Sequence, residues 1–370
     1  MTSIFERLLP KIESKALKYG YSNARVKAMK GLLLNPSFLD ELIKVGSIDA
    51  MTELLQRTGY KNDISDASLE YNGSQLIEMA ASKNFVRTVQ KLGRLTPKED
   101  RQAVRTLLVK WDLTNLKTMI HARQLGKTYD EVKHYLFPVG GLSEDDFRRI
   151  MTVDEREIFR EIKRTELGKQ MLSTSTAHFS KRMWEKFRTA LKSVDMFLQM
   201  ETIVDAYIYL LMDRGLAELK NREIENIRKI LKKEIDAKNI MIIERLKKHN
   251  TDPAKIKGNL IRGGTLTDGL INKIIEVKDL QTLLNLVKTK FRLHDIKDVG
   301  TPTLTDLEIA LEKSLATQKT AAFYRATLSV GVIVGFLLLK EEEINNLRKI
   351  AKGKEFGISE EKVREMLVVV

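Results

Sequence analysis

Residues 235–266 read IDAKNIMIIERLKKHNTDPAKIKGNLIRGGTL, and the chain spells the same pattern twice more. An acidic residue stands three positions before an asparagine at Asp236/Asn239, at Asp112/Asn115 and at Glu343/Asn346. Four positions after the acid come Ile240, Leu116 and Leu347, and at seven come Ile243, Met119 and Ile350. At eleven stand Lys247, Arg123 and Lys354, and at fourteen Asn250, Gly126 and Gly357. Offsets sixteen, twenty and twenty-four carry Asp252, Thr128 and Ser359, then Ile256, Val132 and Val363, then Leu260, Leu136 and Leu367. Self-similarity at this depth marks one supersecondary unit used three times.

Offsets 0, 3, 4 and 7 share one stripe of an α-helix, so the acid and the Asn lie on the same face as two apolar residues. Gly or Asn at fourteen accepts the left-handed backbone that ends a helix. The basic residue at eleven sits in the last turn, where it complements the helix macrodipole. Thr, Asp or Ser at sixteen caps a second helix, with Pro253 at its first position in one copy and a Thr128/Glu131 capping box in another. Each copy therefore reads as helix, tight turn, helix. Gly140 and Gly264 both fall at offset twenty-eight, Leu142 and Leu266 at thirty, and Ser143 and Thr267 follow as caps of a third helix. The third copy stops at Val370, one residue short of the glycine position.

A chain of 370 residues holds two or three cores rather than one. Periodic apolar stretches of helical length fill it, and six prolines interrupt them, which predicts an all-α protein. With no cysteine, neither disulfides nor thiolate metal sites are available. The opening MTSIFERLLPKIES is charged throughout and is not a secretory signal. The longest apolar run, 328–339, is too short to cross a bilayer, and its Gly331 and Gly335 suit close packing of a buried helix. Small polar residues at 168–180 and the stretch KDVGTPT at 297–303, ahead of a capping box at Thr305 and Glu308, divide the chain into 1–170, 171–298 and 299–370, one copy in each. Thr96, Pro97 and Glu99 start the helix that leads to Asp112. The first 60 residues have no counterpart in the repeat count, and part of them would complete the short third unit and close the three into a ring.

The net charge is +14, yet the basic residues are mixed with 50 acidic ones along helices, as in 220–239. Such stretches read as solvated faces with charge pairs one turn apart. Aromatic residues make up 6% and do not interleave with the cations as a base-stacking platform requires, so a basic helical-repeat module binding nucleic acid is the second reading. The basic excess suits an anionic membrane surface or an acidic protein. Gly126-Lys127-Thr128 resembles the end of a Walker A loop, but His121 stands where the motif needs its first glycine. Gly263-Gly264 reads as a turn. The histidines at 121, 134, 178, 249 and 294 lack partners at metal-ligand spacing. No catalytic residue, cofactor or small-molecule substrate is expected. The acid and Asn pairs read as buried polar groups that bond helix ends or loops of neighbouring elements.

WDLTNLKTMI at 111–120, IDAKNIMIIERLKK at 235–248 with RGGTL at 262–266, and KEEEINNLRKIAKGKEFGISEEKVREML at 340–367 together resemble the C subunit of the A-type and V-type rotary ATP synthases, the counterpart of the d subunit of the vacuolar ATPase. YGYSNARVKAMKGLLL at 19–34 is similar to the opening helix of that family. Trp111 replaces the usual tyrosine of the first block, and Glu343 stands where the other copies have Asp. The resemblance implies an all-α protein of three similar domains around a pseudo-threefold axis, funnel-shaped and not catalytic. It implies peripheral attachment on the cytoplasmic side of the membrane. The implied partners are the proteolipid (c/K) ring below and the D and F proteins of the central stalk above, close to the membrane stator.

Overall fold

The computed structural model describes residues 4–154, 157–171, 185, 209–217, 222–293 and 302–368. The chain is 78% helical, and no strand occurs among the described residues. The helices that matter below are α1 (Ile4–Lys30), α2 (Pro36–Lys44), α3 (Ile48–Leu55), α4 (Lys61–Ala67), α5 (Gly73–Leu95), α6 (Arg101–Gln124), α7 (Tyr129–Val132) and α8 (Glu144–Thr152). After α9 (Ile158–Arg164) and α10 (Glu166–Met171) come α11 (Arg222–Lys248), α12 (Pro253–Gly258), α13 (Asp268–Glu276) and α14 (Leu280–Phe291). Then follow α15 (Leu304–Arg325), α16 (Val330–Glu355) and α17 (Glu360–Met366). The chain forms two compact units, Met1–Val104 with Leu219–Ile227 and Ala316–Val370, and Arg105–Glu218 with Arg228–Leu315.

In the first unit α16 is the central element, packed on α5, α1, α2, α3 and α17. Every residue from Val330 to Glu341 is buried, which accounts for the apolar run. A methyl group on Gly335 would collide with the backbone of Phe323, so glycine is required where α15 passes. Among the described residues no helix is long and apolar enough to cross a membrane. Asn23 of α1 donates to the Ser329 carbonyl at 3.1 Å and accepts from its N–H at 3.0 Å, which ties α1 to the start of α16.

In the second unit Ile240 and Ile243 of α11 meet Leu283, Leu284, Val287 and Phe291 of α14 and Leu307 and Leu311 of α15. The caps expected from sequence form at Thr128, Ser143, Asp252 and Thr267. Gly126, Asn250 and Gly357 all take positive φ, at 68°, 51° and 63°, and end the three long helices as expected. The helix towards Asp112 starts through a 3-10 turn at Lys98–Asp100.

The expected box at Thr305 and Glu308 is incorrect. α15 begins two residues earlier, with the Thr303 N–H and hydroxyl donating to Asp306 at 2.8 and 2.6 Å and the Asp306 N–H donating back at 3.3 Å. The earlier start places Leu304 in the first turn against the core that Leu307 and Leu311 enter. Thr305 and Glu308 then lie inside the helix. Most of the two expected boundary stretches, 172–180 and 297–301, and the histidines at 178 and 294 lie outside the described residues.

Candidate functional site

The three Asn side chains make the same pair of hydrogen bonds. Asn115 donates to the Phe137 carbonyl at 2.7 Å and accepts from the Phe137 N–H at 2.9 Å. Asn239 does so with Ile261 at 2.9 and 2.8 Å, and Asn346 with Val368 at 2.7 and 3.0 Å. In each case the partner lies 22 residues on, just after the second helix of the pattern. An amide side chain offers a donor and an acceptor side by side, as a backbone peptide does. All three amides are buried, so the second helix is clamped to the first through groups that water does not reach.

The acids bind the next stretch of chain. Asp112 accepts the N–H groups of Gly141 and Leu142 at 2.6 and 3.0 Å. Asp236 accepts those of Thr265 and Leu266 at 2.7 and 3.0 Å, and the Thr265 hydroxyl at 2.6 Å. Lys290 stands 3.7 Å from the same carboxylate. A Cβ on Gly140 or Gly264 would run into these carboxylates, which explains the paired glycines at offset twenty-eight. Burial pushes the Asp112 carboxyl up to about 7, against the lowering effect of the two N–H donors, with a smaller rise from Asp146.

Glu343 takes its donors from the N-terminal segment instead. The Leu34 N–H donates to it at 2.5 Å and the Tyr60 hydroxyl at 2.6 Å, while Lys340 forms a buried ion pair with it at 2.5 Å. Leu34 precedes the Asn35 cap of α2 as Leu142 precedes the Ser143 cap of α8 and Leu266 the Thr267 cap of α13. Full burial, with the Glu343 carboxylate beside it, holds the Tyr60 hydroxyl well above its ordinary pKa. Nothing in the local pattern announces Leu34 and Tyr60, which lie 309 and 283 residues away.

The basic residue at offset eleven does more than face its own helix dipole. Arg123 donates to the Ile150 carbonyl at the end of α8 at 2.8 Å. Lys247 donates to Ile274 and Val277 at the end of α13 at 3.2 and 2.5 Å. Lys354 donates to the carbonyls of Ile43, at 2.8 Å, and Val45 at the end of α2. Each therefore satisfies the orphan carbonyls of the third helix in its group. Sequence reasoning missed these partners, as it missed Phe137, Ile261 and Val368, because backbone acceptors leave no mark on residue type.

The six polar residues are thus engaged by the protein itself. A cleft lined by Leu33, Leu34 and Tyr324 adjoins Glu343 and Asn346, but both side chains are already spent on the bonds above. A family model, the ATP synthase (C/AC39) subunit, matches residues 22–366. The chain belongs to this family. It is 25% identical over 360 residues to the A-type ATP synthase C subunit of Methanosarcina mazei, covering 95% of this chain and 93% of the relative. The A-type ATP synthase C subunit of Thermococcus onnurineus is 24% identical with 95% and 91% covered, and that of Archaeoglobus fulgidus 22% identical with 95% and 96% covered.

A C subunit of this family is a non-catalytic accessory part of a rotary complex that links ATP synthesis to ion transport. The remaining sequence candidates that fall among the described residues have structural settings. Gly126-Lys127-Thr128 is a helix end, with Lys127 paired to Glu131 at 2.8 Å and the Thr128 N–H donating to the same side chain. Gly263, at φ 103°, and Gly264 shape the loop that binds Asp236. His121 and His249 sit at helix ends, and His134 is buried in the turn Lys133–Tyr135. Among the described residues no group of three or more His, Asp or Glu side chains is placed to hold a metal ion. Family membership does not favour the nucleic-acid reading.

Proposed function

We propose that this protein couples the central stalk of its rotary complex to the membrane proteolipid ring, attached peripherally on the cytoplasmic side. The observation that carries the reading is the recurrence of one buried clamp three times in a chain of this family. A part that transmits torque has to resist deformation, and each clamp locks a second helix to a long helix through dry hydrogen bonds. Three like units, the third completed by residues of the N-terminal segment around Leu34, would offer three like surfaces to a ring of identical proteolipids. The net charge of +14 favours a seat near anionic headgroups.

Crosslinking tests this directly, because the chain has no cysteine of its own. Leu125→Cys, His249→Cys and Phe356→Cys each place one thiol on an exposed residue just before a left-handed helix end. In the assembled complex all three should crosslink to the same partner, either the loops of the ring or the stalk. Three different partners would refute the coupling role as stated.

A further inference from the structure

The exposed side of α1 carries a feature that the three clamps do not account for. Its inward face is fixed: Tyr19, Ser22, Asn23 and Val26 are buried, and the Tyr19 hydroxyl donates to Asp100 at 2.8 Å. On the opposite side Leu17, Tyr21, Ala24 and Ala28 follow one another at spacings of four, three and four residues. Leu17 is 90% exposed and Tyr21 74%, and both alanines are exposed. That spacing is the d-a-d-a seam of a coiled coil, held over four successive seam positions from Leu17 to Ala28. The small Ala24 and Ala28 leave room for a second backbone to approach.

The flanks say what kind of helix fits. In this register Lys18 and Arg25 occupy e positions, Lys27 occupies a g position, and Gly20 occupies the other g. Residues 14–34 hold five cations, at Lys15, Lys18, Arg25, Lys27 and Lys30, and no acidic residue. Lys18 already pairs with Asp100 at 2.9 Å, while Arg25 and Lys27 are exposed. Charges at e and g choose the partner of a coiled coil. A second copy of this chain would set cation against cation and is disfavoured.

We propose that the outer face of α1 is a docking surface for an α-helix of another protein, one with an apolar heptad seam and acidic residues flanking it. Unlike a flat anionic lipid surface, such a helix matches both the heptad spacing and the pair of small residues. The proposal does not rest on the three clamps, and it does not require them to be equivalent.

The test uses the assembled complex with Ala24→Cys, the single thiol in the chain, carrying a photoactivatable crosslinker. The expected adduct, identified by mass spectrometry, is a peptide from a helical segment with apolar heptad spacing and at least two Asp or Glu at its flanks. Arg25→Glu with Lys27→Glu in the same background should cut the yield about fivefold or more, and so should raised salt. Far-UV circular dichroism and thermal unfolding of the charge-reversed chain should match the parent, because both residues are exposed. Adducts only with lipid, adducts with a second copy of this chain, a partner segment without acidic flanks, or a label that stays open to solvent in the complex would each overturn the proposal.

Discussion

Replacing Asn239 by Ala tests whether the repeated polar pairs hold the fold. The amide makes two hydrogen bonds to Ile261, one to its carbonyl and one from its N–H, at 2.9 and 2.8 Å. Asn239 and Ile261 are both 3% exposed. Truncation leaves a backbone donor and a backbone acceptor without partners, at about 1–3 kcal/mol each, or about 2–6 kcal/mol together. Arg262, next to Ile261, is exposed, so water can reach part of the freed backbone, and partial hydration brings the expected loss to about 2–4 kcal/mol. Urea unfolding followed by circular dichroism measures it. Asn115→Ala and Asn346→Ala should cost similar amounts, because their bonds have the same geometry and burial. Because Asn346 belongs to a different compact unit from Asn115 and Asn239, separable transitions should shift accordingly. A loss below about 0.5 kcal/mol for any of the three would refute the structural account of that pair, and lost coupling at unchanged stability would assign it a direct functional contact instead.

The Asp112 carboxyl, at about 7 in the folded chain against an ordinary 3.8, binds a proton on folding through that interval. Its contribution to stability is therefore present below about pH 4 and lost as pH rises to about 7, by roughly 4 kcal/mol at 1.36 kcal/mol per pH unit. The difference in unfolding free energy between the native chain and Asp112→Asn should change with pH over this window and be flat above it; a pH-independent difference would contradict the shift. Gly264→Ala should destabilise the second unit by about 1–3 kcal/mol, because the added methyl meets the Asp236 carboxylate, whereas Gly258→Ala, with open space around it, should change stability little. Calorimetric titration of the isolated chain with ATP should show no saturable binding at micromolar concentrations, since Gly126-Lys127-Thr128 is spent on ending a helix. Raised salt should release the protein from membranes that hold assembled rings, and attachment indifferent to salt would argue against an electrostatic seat.

How far the sequence discloses this structure depends on whether a constraint acts on side-chain type. The three helix-turn-helix segments are legible because a left-handed residue, a capping residue and an apolar stripe each restrict which amino acid is tolerated. The paired glycines at 140 and 264 are visible for the same reason, although their cause, the nearby carboxylates, is not. Spacing alone misplaces the start of α15, because Thr303/Asp306 and Thr305/Glu308 both satisfy the pattern of a capping box. Only the burial of Leu304, Leu307 and Leu311 chooses between them. The carbonyls that Arg123, Lys247 and Lys354 bind are invisible, since any residue supplies a carbonyl.

The third copy shows how one site of a repeat is rebuilt from a distant part of the chain. Asp112 and Asp236 receive backbone donors from 29 and 30 residues downstream, a distance the local chain spans in the same way each time. Glu343 draws instead on the far side of the sequence, with Leu34 and Tyr60 as donors. Only one backbone N–H arrives there, where each aspartate has two, so a buried carboxylate would be undersatisfied without further help. Tyr60 and the Lys340 ammonium supply it. Glutamate in place of aspartate adds the methylene of reach that such a site needs. Loss of Lys340 would then leave a buried negative charge short of its compensating partner, which neither of the other two copies risks in the same way. The departure from the pattern at position 343 thus follows from where its donors come from, and the N-terminal segment that has no counterpart in the repeat is bound by the acid of the third copy.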